Sequence, residues 1–205
     1  MSLVKNLIFI DEQLLNFSSI LENLPANSEW FKIGPFADGI SQIEEISKSY
    51  ENLDSIQLVT HGSSGKLNIG PTVLSQENLS QYENNISEIG KSLSSTGDIL
   101  VYGCNVASND SGQEFIQGIA EYSLADIAAS TDLTGPVNLG GDGELEFQTG
   151  EVSATVINVE GLGETLWTDS QIEAALTNYS LENLMKDYNA DDSYSYLEMR
   201  TLLET

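Results

Sequence analysis

Short apolar runs alternate with amphipathic stretches through the first two thirds of this 205-residue chain. The runs have the length of buried strands, and between them apolar residues recur every three or four positions, as on one face of a helix. Strands and helices in this alternation predict an α/β protein with a mostly parallel sheet flanked by helices. The predicted strands cover residues 3–10, 29–34, 55–60, 98–103 and 125–130, with a short hairpin arm at 66–70. The predicted helices cover residues 14–21, 39–50, 75–93 (with Ser75 as the N-cap) and 111–123.

The composition changes towards the end of the chain. Residues 131–160 are rich in Gly, Asp and Thr and contain two candidate short strands, "LEFQ" and "SATVIN". After a glycine-containing joint at residues 161–168, the sequence becomes acidic and helix-like, which places a boundary near residues 162–168. We therefore predict two domains, residues 1–162 and residues 163–205.

Charge limits the partners of this chain, which has 32 acidic and 7 basic residues and a net charge of −25. Such a surface repels nucleic acid and anionic membranes and favours cations or basic peptides, although solubility alone is the alternative explanation. The first apolar run is stopped by Asp11 and Glu12, which makes it too short to span a membrane, and no signal-peptide cleavage site follows. We expect no membrane insertion, and either a cytoplasmic location or export without a Sec signal.

The single histidine and the single cysteine occupy similar positions. His61 lies in "VTHGSSG" and Cys104 in "LVYGCNVAS", each at the end of an apolar run and each beside a glycine. Because ligand and active sites of such sheets lie outside the carboxyl ends of the strands, we expect both side chains at one sheet edge. If the pair is catalytic, the two should approach each other there and should be open to solvent.

The chemistry of this pair favours nucleophilic catalysis. A neighbouring imidazole lowers the pKa of a thiol, as does a helix N-terminus, here expected near Ser108 or Ser111. Glycines at 62 and 103 would admit a substrate backbone, and the N–H groups of Gly62 and Cys104 would face an oxyanion. The alternative is a buried structural cysteine and a strand-end histidine that never meet.

Several sequence blocks resemble known families. A strand ending in His-Gly, followed by a later strand ending in a small residue and Cys, is similar to the caspase-like (clan CD) cysteine peptidases. "IFIDEQL", "SIQLVTHGSSGKLNIGPTVLSQENL", "GDILVYGCNVA" and "LGGDGELE" resemble the bacterial DUF4347 domain over residues 3–160. The resemblance implies a caspase-like fold, His61 as catalytic imidazole, Cys104 as nucleophile, and self-processing as in related toxin domains. Gly143 departs from the pattern, which has an aromatic residue after "GGD".

Two carboxylates are candidates for substrate recognition. Asp11 ends the first predicted strand and Asp132 follows the fifth, so both are expected at the same edge as His61 and Cys104. There they would favour Lys or Arg before the scissile bond. A helix N-cap for Asp11 and a turn position for Asp132 are the structural alternatives.

The acidic tail resembles an EF-hand in "DYNADDSYSYLE", residues 187–198. Oxygen-bearing residues occupy the six ligand positions of such a loop, between two helix-like flanks. The predicted Ca²⁺ ligands are Asp187, Asn189, Asp191, the carbonyl of Ser193, and Glu198. Asp192 stands where Gly is expected and Tyr194 where a small aliphatic residue is expected, so a solvated acidic turn is the alternative.

Three functions fit these observations. The first is a calcium-responsive, caspase-like cysteine endopeptidase. The second is a non-catalytic interaction module of a calcium-binding secreted or surface protein, with the same fold. The third is an acyl-transfer enzyme with the same Cys–His chemistry on another substrate.

The tail predicts a calcium response that depends on Glu198. Calcium that binds only the folded loop should raise the melting temperature, and a chelator should reverse the rise. Glu198→Gln should remove most of the binding heat in a calorimetric titration, because it weakens bidentate ligation at the closing position. Equal heats in the two proteins would place any calcium effect elsewhere, for example in the acidic cluster at residues 142–146.

Overall fold

The computed structural model describes residues 4–14, 17–162 and 166 of the chain. Nine strands and four α-helices are assigned within these residues. The strands are β1 (Asn6–Asp11), β2 (Ser28–Ile33), β3 (Leu53–Val59), β4 (His61–Ser63), β5 (Lys66–Ile69), β6 (Thr72–Ser75), β7 (Leu93–Tyr102), β8 (Asp126–Ala129) and β9 (Phe147–Gln148). The helices are α1 (Ser18–Leu21), α2 (Gly39–Ser47), α3 (Glu83–Gly90) and α4 (Asp110–Ser123), with 3₁₀ turns at Leu79–Tyr82 and Val137–Leu139.

A six-stranded sheet forms the centre of the molecule, in the order β2-β1-β3-β7-β8-β9. All neighbouring pairs are parallel except β8 and β9, which are antiparallel. The hairpins β4–β5 and β5–β6 form a separate antiparallel sheet that leaves the carboxyl end of β3. The predicted α/β class with a mostly parallel sheet is therefore confirmed.

Helices α2, α3 and α4 cover one face of the central sheet. Their apolar stripes follow the three-to-four-residue spacing in the sequence and pack on strand residues of the same face. α4 begins where the side chain of Asn109 accepts the backbone N–H of Gly112 at 3.0 Å, and it ends at Leu124 in the left-handed region. The helix contributions to this core include Ile40, Ile43, Ile86, Ile89, Phe115, Ile116 and Ile119.

The other face of the sheet is covered differently, by α1 and by a long extended segment, residues 151–162, which we call the strap. The strap forms no strand, yet it crosses the sheet from its amino edge towards its carboxyl edge. It adds Ile157, Val159 and Leu162 to the apolar cluster of this face. The expected strand in "SATVIN" is thus wrong.

The strap backbone makes hydrogen bonds with side chains of the sheet instead of with the backbone of a neighbouring strand. Asp98 accepts the backbone N–H groups of Ser153 and Ala154 at 2.8 and 2.9 Å. Further along, Gln57 donates to the carbonyl of Thr155 and Tyr102 accepts the N–H of Ile157, each at 2.9 Å. The strap backbone is therefore held by buried side-chain partners, which an apolar-run pattern does not reveal.

Two other boundaries differ from the sequence prediction. The helix expected at 75–93 begins only at Glu83, because Ser75 ends β6 and a 3₁₀ turn comes between them. β7 begins at Leu93, five residues before the expected start, with an irregular register near Leu53.

The predicted calcium ligands of residues 187–198 lie outside the described residues, as does nearly all of the second predicted domain. Within the described part, no helix is long and apolar enough to cross a lipid bilayer.

Asp98 should contribute strongly to stability. Asp98→Ala would leave the part-buried N–H groups of Ser153 and Ala154 without their charged acceptor and should lower the free energy of unfolding by about 2–3 kcal/mol. The exposed Asp54, which pairs with Lys5 at 3.1 Å, is the control, and its removal should cost less than about 1 kcal/mol. Urea unfolding of both variants tests this, and equal losses would show that Asp98 does not hold the strap.

Candidate active site

His61 and Cys104 follow the carboxyl ends of two adjacent parallel strands, β3 and β7. Val59 of β3 is paired with Tyr102 of β7, and the N–H of Thr60 donates to the carbonyl of Tyr102 at 3.0 Å. His61 and Cys104 each follow a member of that pair by two residues. The structure therefore places both just beyond the carboxyl edge of the sheet, after neighbouring strands at the centre of the strand order.

The two glycines beside these residues bring two segments of the chain together. A Cβ at Gly62 would lie 2.6 Å from Cγ2 of Val106 and 3.4 Å from the carbonyl carbon of Gly103. A Cβ at Gly103 would lie 3.0 Å from the same Val106 methyl and 3.3 Å from the carbonyl oxygen of Thr60. Their expected role of admitting a substrate backbone is therefore wrong for this state, because the space is filled by the protein itself.

The Cys104 thiol is held by the backbone of Thr134. The N–H of Thr134 donates to Sγ at 3.3 Å, and the thiol donates to the carbonyl of the same residue at 3.7 Å. The N–H contact favours the thiolate, but burial has the larger effect and raises the pKa of Cys104 to about 12. The nearby Asp132 carboxylate acts in the same direction as burial. In this state the sulfur is a neutral thiol at physiological pH.

Both members of the pair are buried. Cys104 is 0% exposed and His61 is 5% exposed. The expectation of a solvent-open pair is therefore wrong for this state. The helix start expected near Ser108 or Ser111 is confirmed, because α4 begins at Asp110 with Asn109 as its N-cap. Nucleophilic chemistry at Cys104 requires a conformation in which the thiol is uncovered.

Asp11 is buried in this structure and accepts hydrogen bonds from the backbone of the protein itself. It is 3% exposed, and its carboxylate accepts the N–H groups of Gly70 at 2.7 Å and Gln13 at 2.9 Å. Burial raises its pKa, and these two hydrogen bonds partly offset that effect. Asp11 thus ties the end of β1 to the β5–β6 turn, and the structure does not bring its carboxylate to the surface.

Asp132, by contrast, is exposed beside the cysteine segment. Its carbonyl accepts the N–H of Asn105, the residue after Cys104, at 2.6 Å. Its carboxylate lies in a group with those of Asp142 and Glu146, in which one oxygen from each carboxylate lies within 4.8 Å of the other two. Partial desolvation, followed by repulsion from Glu146 and Asp142, raises the pKa of Asp132. A concentrated negative potential therefore adjoins the cysteine.

Sequence reasoning missed Thr134, Leu162 and Leu166. Thr134 contacts the thiol through its backbone N–H and carbonyl groups, and a residue's side-chain type does not predict such contacts. Leu166 is 0% exposed, shares the apolar cluster of Cys104, and donates its N–H to the Thr134 carbonyl at 2.8 Å. Leu162, 4% exposed, belongs to the same cluster. Both leucines lie at the predicted domain joint, where a covering role has no sequence signature.

The raised pKa of Cys104 predicts a loss of stability at alkaline pH. The unfolded chain releases the thiol proton near its ordinary pKa of 9, whereas the folded protein keeps it up to about 12. Folding therefore binds a proton in this window, and the free energy of unfolding should fall by about 1.4 kcal/mol per pH unit between them. Cys104→Ala should lack this component in urea unfolding measured from pH 8 to 11. Parallel pH profiles of the two proteins would contradict the burial of the thiol.

Comparison with known proteins gives likenesses to solved structures and one family. The chain is similar to caspase-1 from Spodoptera frugiperda, with 16% sequence identity and a TM-score of 0.30. The likeness covers 49% of this chain and 48% of the caspase, so the chain spans about half the length of that protein. No curated protein matches the chain. The model of the family described as "Domain of unknown function (DUF4347)" matches residues 7–164, which include His61 and Cys104, and the protein therefore belongs to the DUF4347 family.

Proposed function

We propose that this protein is a calcium-responsive, caspase-like cysteine endopeptidase in which His61 and Cys104 form the catalytic dyad. The register of β3 with β7 supports this proposal, because His61 and Cys104 each follow a member of the pair Val59 and Tyr102 by two residues. The carboxyl edge of a parallel sheet is where such folds hold their active sites. Within the described residues, Cys104 is also the one thiol available for this chemistry.

The proposed reaction proceeds through a thioester. His61 takes the thiol proton, and the sulfur attacks the carbonyl carbon of the scissile peptide bond. The N–H groups of Gly62 and Cys104 stabilise the tetrahedral oxyanion. The imidazolium then gives its proton to the leaving amine as the C–N bond breaks. Water hydrolyses the thioester, which releases the acid product and restores the thiol.

The proposed substrate carries Lys or Arg before the scissile bond. Asp132 supports this preference, because its carboxylate is exposed beside the cysteine segment and is joined there by Asp142 and Glu146. A cation entering this group would gain charge-assisted contacts and relieve repulsion among the carboxylates. Asp11 is the second proposed contact, and it can take part only if the Gly70 and Gln13 hydrogen bonds are released.

The proposed calcium response follows from the position of the tail sequence. Leu166, which lies in the Cys104 cluster, precedes the acidic tail along the chain. Calcium binding by Asp187, Asn189, Asp191, Ser193 and Glu198 would therefore affect the segment that directly follows Leu166, which packs near the thiol. We propose that calcium alters access to the dyad, and that the enzyme cleaves its own chain when the thiol is uncovered.

A non-catalytic interaction module is the second candidate function. The complete burial of Cys104 and its raised pKa favour it, since a neutral, sealed thiol is typical of a structural cysteine. In that case the His61–Cys104 pair stabilises the fold, and the acidic surface binds the partner.

Cleavage assays on a peptide library distinguish the two candidates. Wild-type protein should cleave peptides after Lys or Arg, and calcium and chelator should give different rates. Cys104→Ala and His61→Ala should both abolish cleavage, including self-cleavage detected by mass spectrometry, because the dyad acts as a unit. Circular dichroism should show that both variants remain folded. Cleavage that persists in Cys104→Ala, or its absence in every wild-type sample, would reject the peptidase.

Asp132 can be tested separately with a matched carboxylate. Asp132→Asn should lower kcat/KM for Lys and Arg substrates by about tenfold, the value of one charge-assisted contact of about 1.4 kcal/mol. Asp54→Asn, an exposed carboxylate near the amino edge of the sheet, should leave kcat/KM unchanged. A wild-type preference for Asp or Leu at that position would contradict the proposed specificity.

A further inference from the structure

We propose that Leu162 and Leu166 form an autoinhibitory arm that seals Cys104, and that release of this arm, without unfolding of the sheet, exposes the thiol. The inference rests on the proposed function, since a sealed thiol is inhibited only if it is a nucleophile. The inference concerns how access to Cys104 is regulated, and it can be tested without measuring any catalytic activity.

One carbonyl oxygen connects the arm to the thiol. The Thr134 carbonyl accepts the N–H of Leu166 at 2.8 Å and the Cys104 thiol at 3.7 Å. The Thr134 N–H donates in turn to Sγ at 3.3 Å. The arm therefore lies on the residue that positions the sulfur, and its departure would free a backbone acceptor immediately beside the nucleophile.

Apolar packing closes the site around this carbonyl. Leu166 is 0% exposed and Leu162 is 4% exposed, and both share the apolar cluster of Cys104. Leu145, 8% exposed, comes from the loop that also carries Asp142. Because Cys104 is 0% exposed, an extended peptide can reach Sγ only if part of this cover moves, and in the proposal the part that moves is the arm.

The attachments of the strap make local release physically reasonable. The strap belongs to no strand ladder, and two of the described contacts near its end lie at the surface. Ser19 donates to the carbonyl of Gly161, and the carboxylate of Glu160 accepts the N–H of Val137 at 3.3 Å in an exposed contact. Segments held by solvent-accessible hydrogen bonds open at lower free energy than the strands beneath them.

The chemistry of the two states differs. In the closed state burial keeps the sulfur protonated, with the pKa of Cys104 near 12. After release, water reaches Sγ, which removes the desolvation that favours the neutral thiol. The Thr134 N–H remains able to donate to Sγ, and this hydrogen bond also favours the thiolate. The arm would therefore control nucleophilicity as well as access.

Thiol labelling of the full-length chain tests the arm directly. Because Cys104 is the only cysteine, reaction with 5,5′-dithiobis(2-nitrobenzoic acid) reports this sulfur alone. Leu166→Ala should raise the labelling rate under native conditions by about 30-fold or more, the change in an opening equilibrium expected for a large-to-small substitution at a buried leucine. The rate should stay nearly constant in low urea, because local opening exposes little surface.

Leu53→Ala is the matched control. Leu53 is also 0% exposed, but it packs in the cluster on the helix-covered face. Its labelling rate should rise only as far as its measured free energy of global unfolding allows, and should increase steeply with urea. If Leu166→Ala labels no faster than Leu53→Ala after correction for stability, the arm proposal is overturned. Should Leu166→Ala fail to fold, the urea dependence of wild-type labelling decides: a flat region at low urea supports local release, and a steep slope throughout overturns it.

Peptide cleavage by the same variants separates the two proposals. Fast labelling of Leu166→Ala without cleavage of any peptide would keep the arm and reject the peptidase. Cleavage by wild-type protein, together with labelling that occurs only through global unfolding, would keep the peptidase and reject the arm.

Discussion

The parallel ladder between β3 and β7 is the interaction on which the rest of the molecule depends. It joins the two long central strands and fixes the pairing of Val59 with Tyr102. Because parallel strands emerge at one edge, this single register determines where His61 and Cys104 stand. It also positions Tyr102 to hold the strap and Thr60 to meet the hairpin sheet. A shift by one residue would move all of these contacts to the opposite face.

Much of this arrangement could be predicted from sequence because it arises from local patterns. Apolar runs of strand length identify the parallel strands, and the lone His61 and Cys104 sit at the ends of two of them. The failures have non-local causes. Ser75 looks like a helix cap, but it pairs as the last residue of β6 because β5 is available. The strap escapes strand rules because its partners are Asp98, Gln57 and Tyr102 side chains on other elements.

The burial of the thiol could not be predicted for the same reason. Its cover comes from Leu162 and Leu166, far along the chain from Cys104, and its anchor is a backbone carbonyl of Thr134. The glycines at 62 and 103 show how one residue type supports two explanations. Both a close substrate and a close chain segment require the missing Cβ, and only the coordinates identify the neighbour as Val106.

The strap is the last described element along the chain, and this order has a consequence for biosynthesis. β1, β3, β7 and β8 all leave the ribosome before residues 151–166, so the sheet can assemble while one of its faces still lacks its cover. During that interval Cys104 has neither of its leucine neighbours, and the apolar cluster of this face is exposed to solvent. The nascent protein therefore passes through a stage in which its thiol is open to oxidation and its uncovered sheet is open to chaperones.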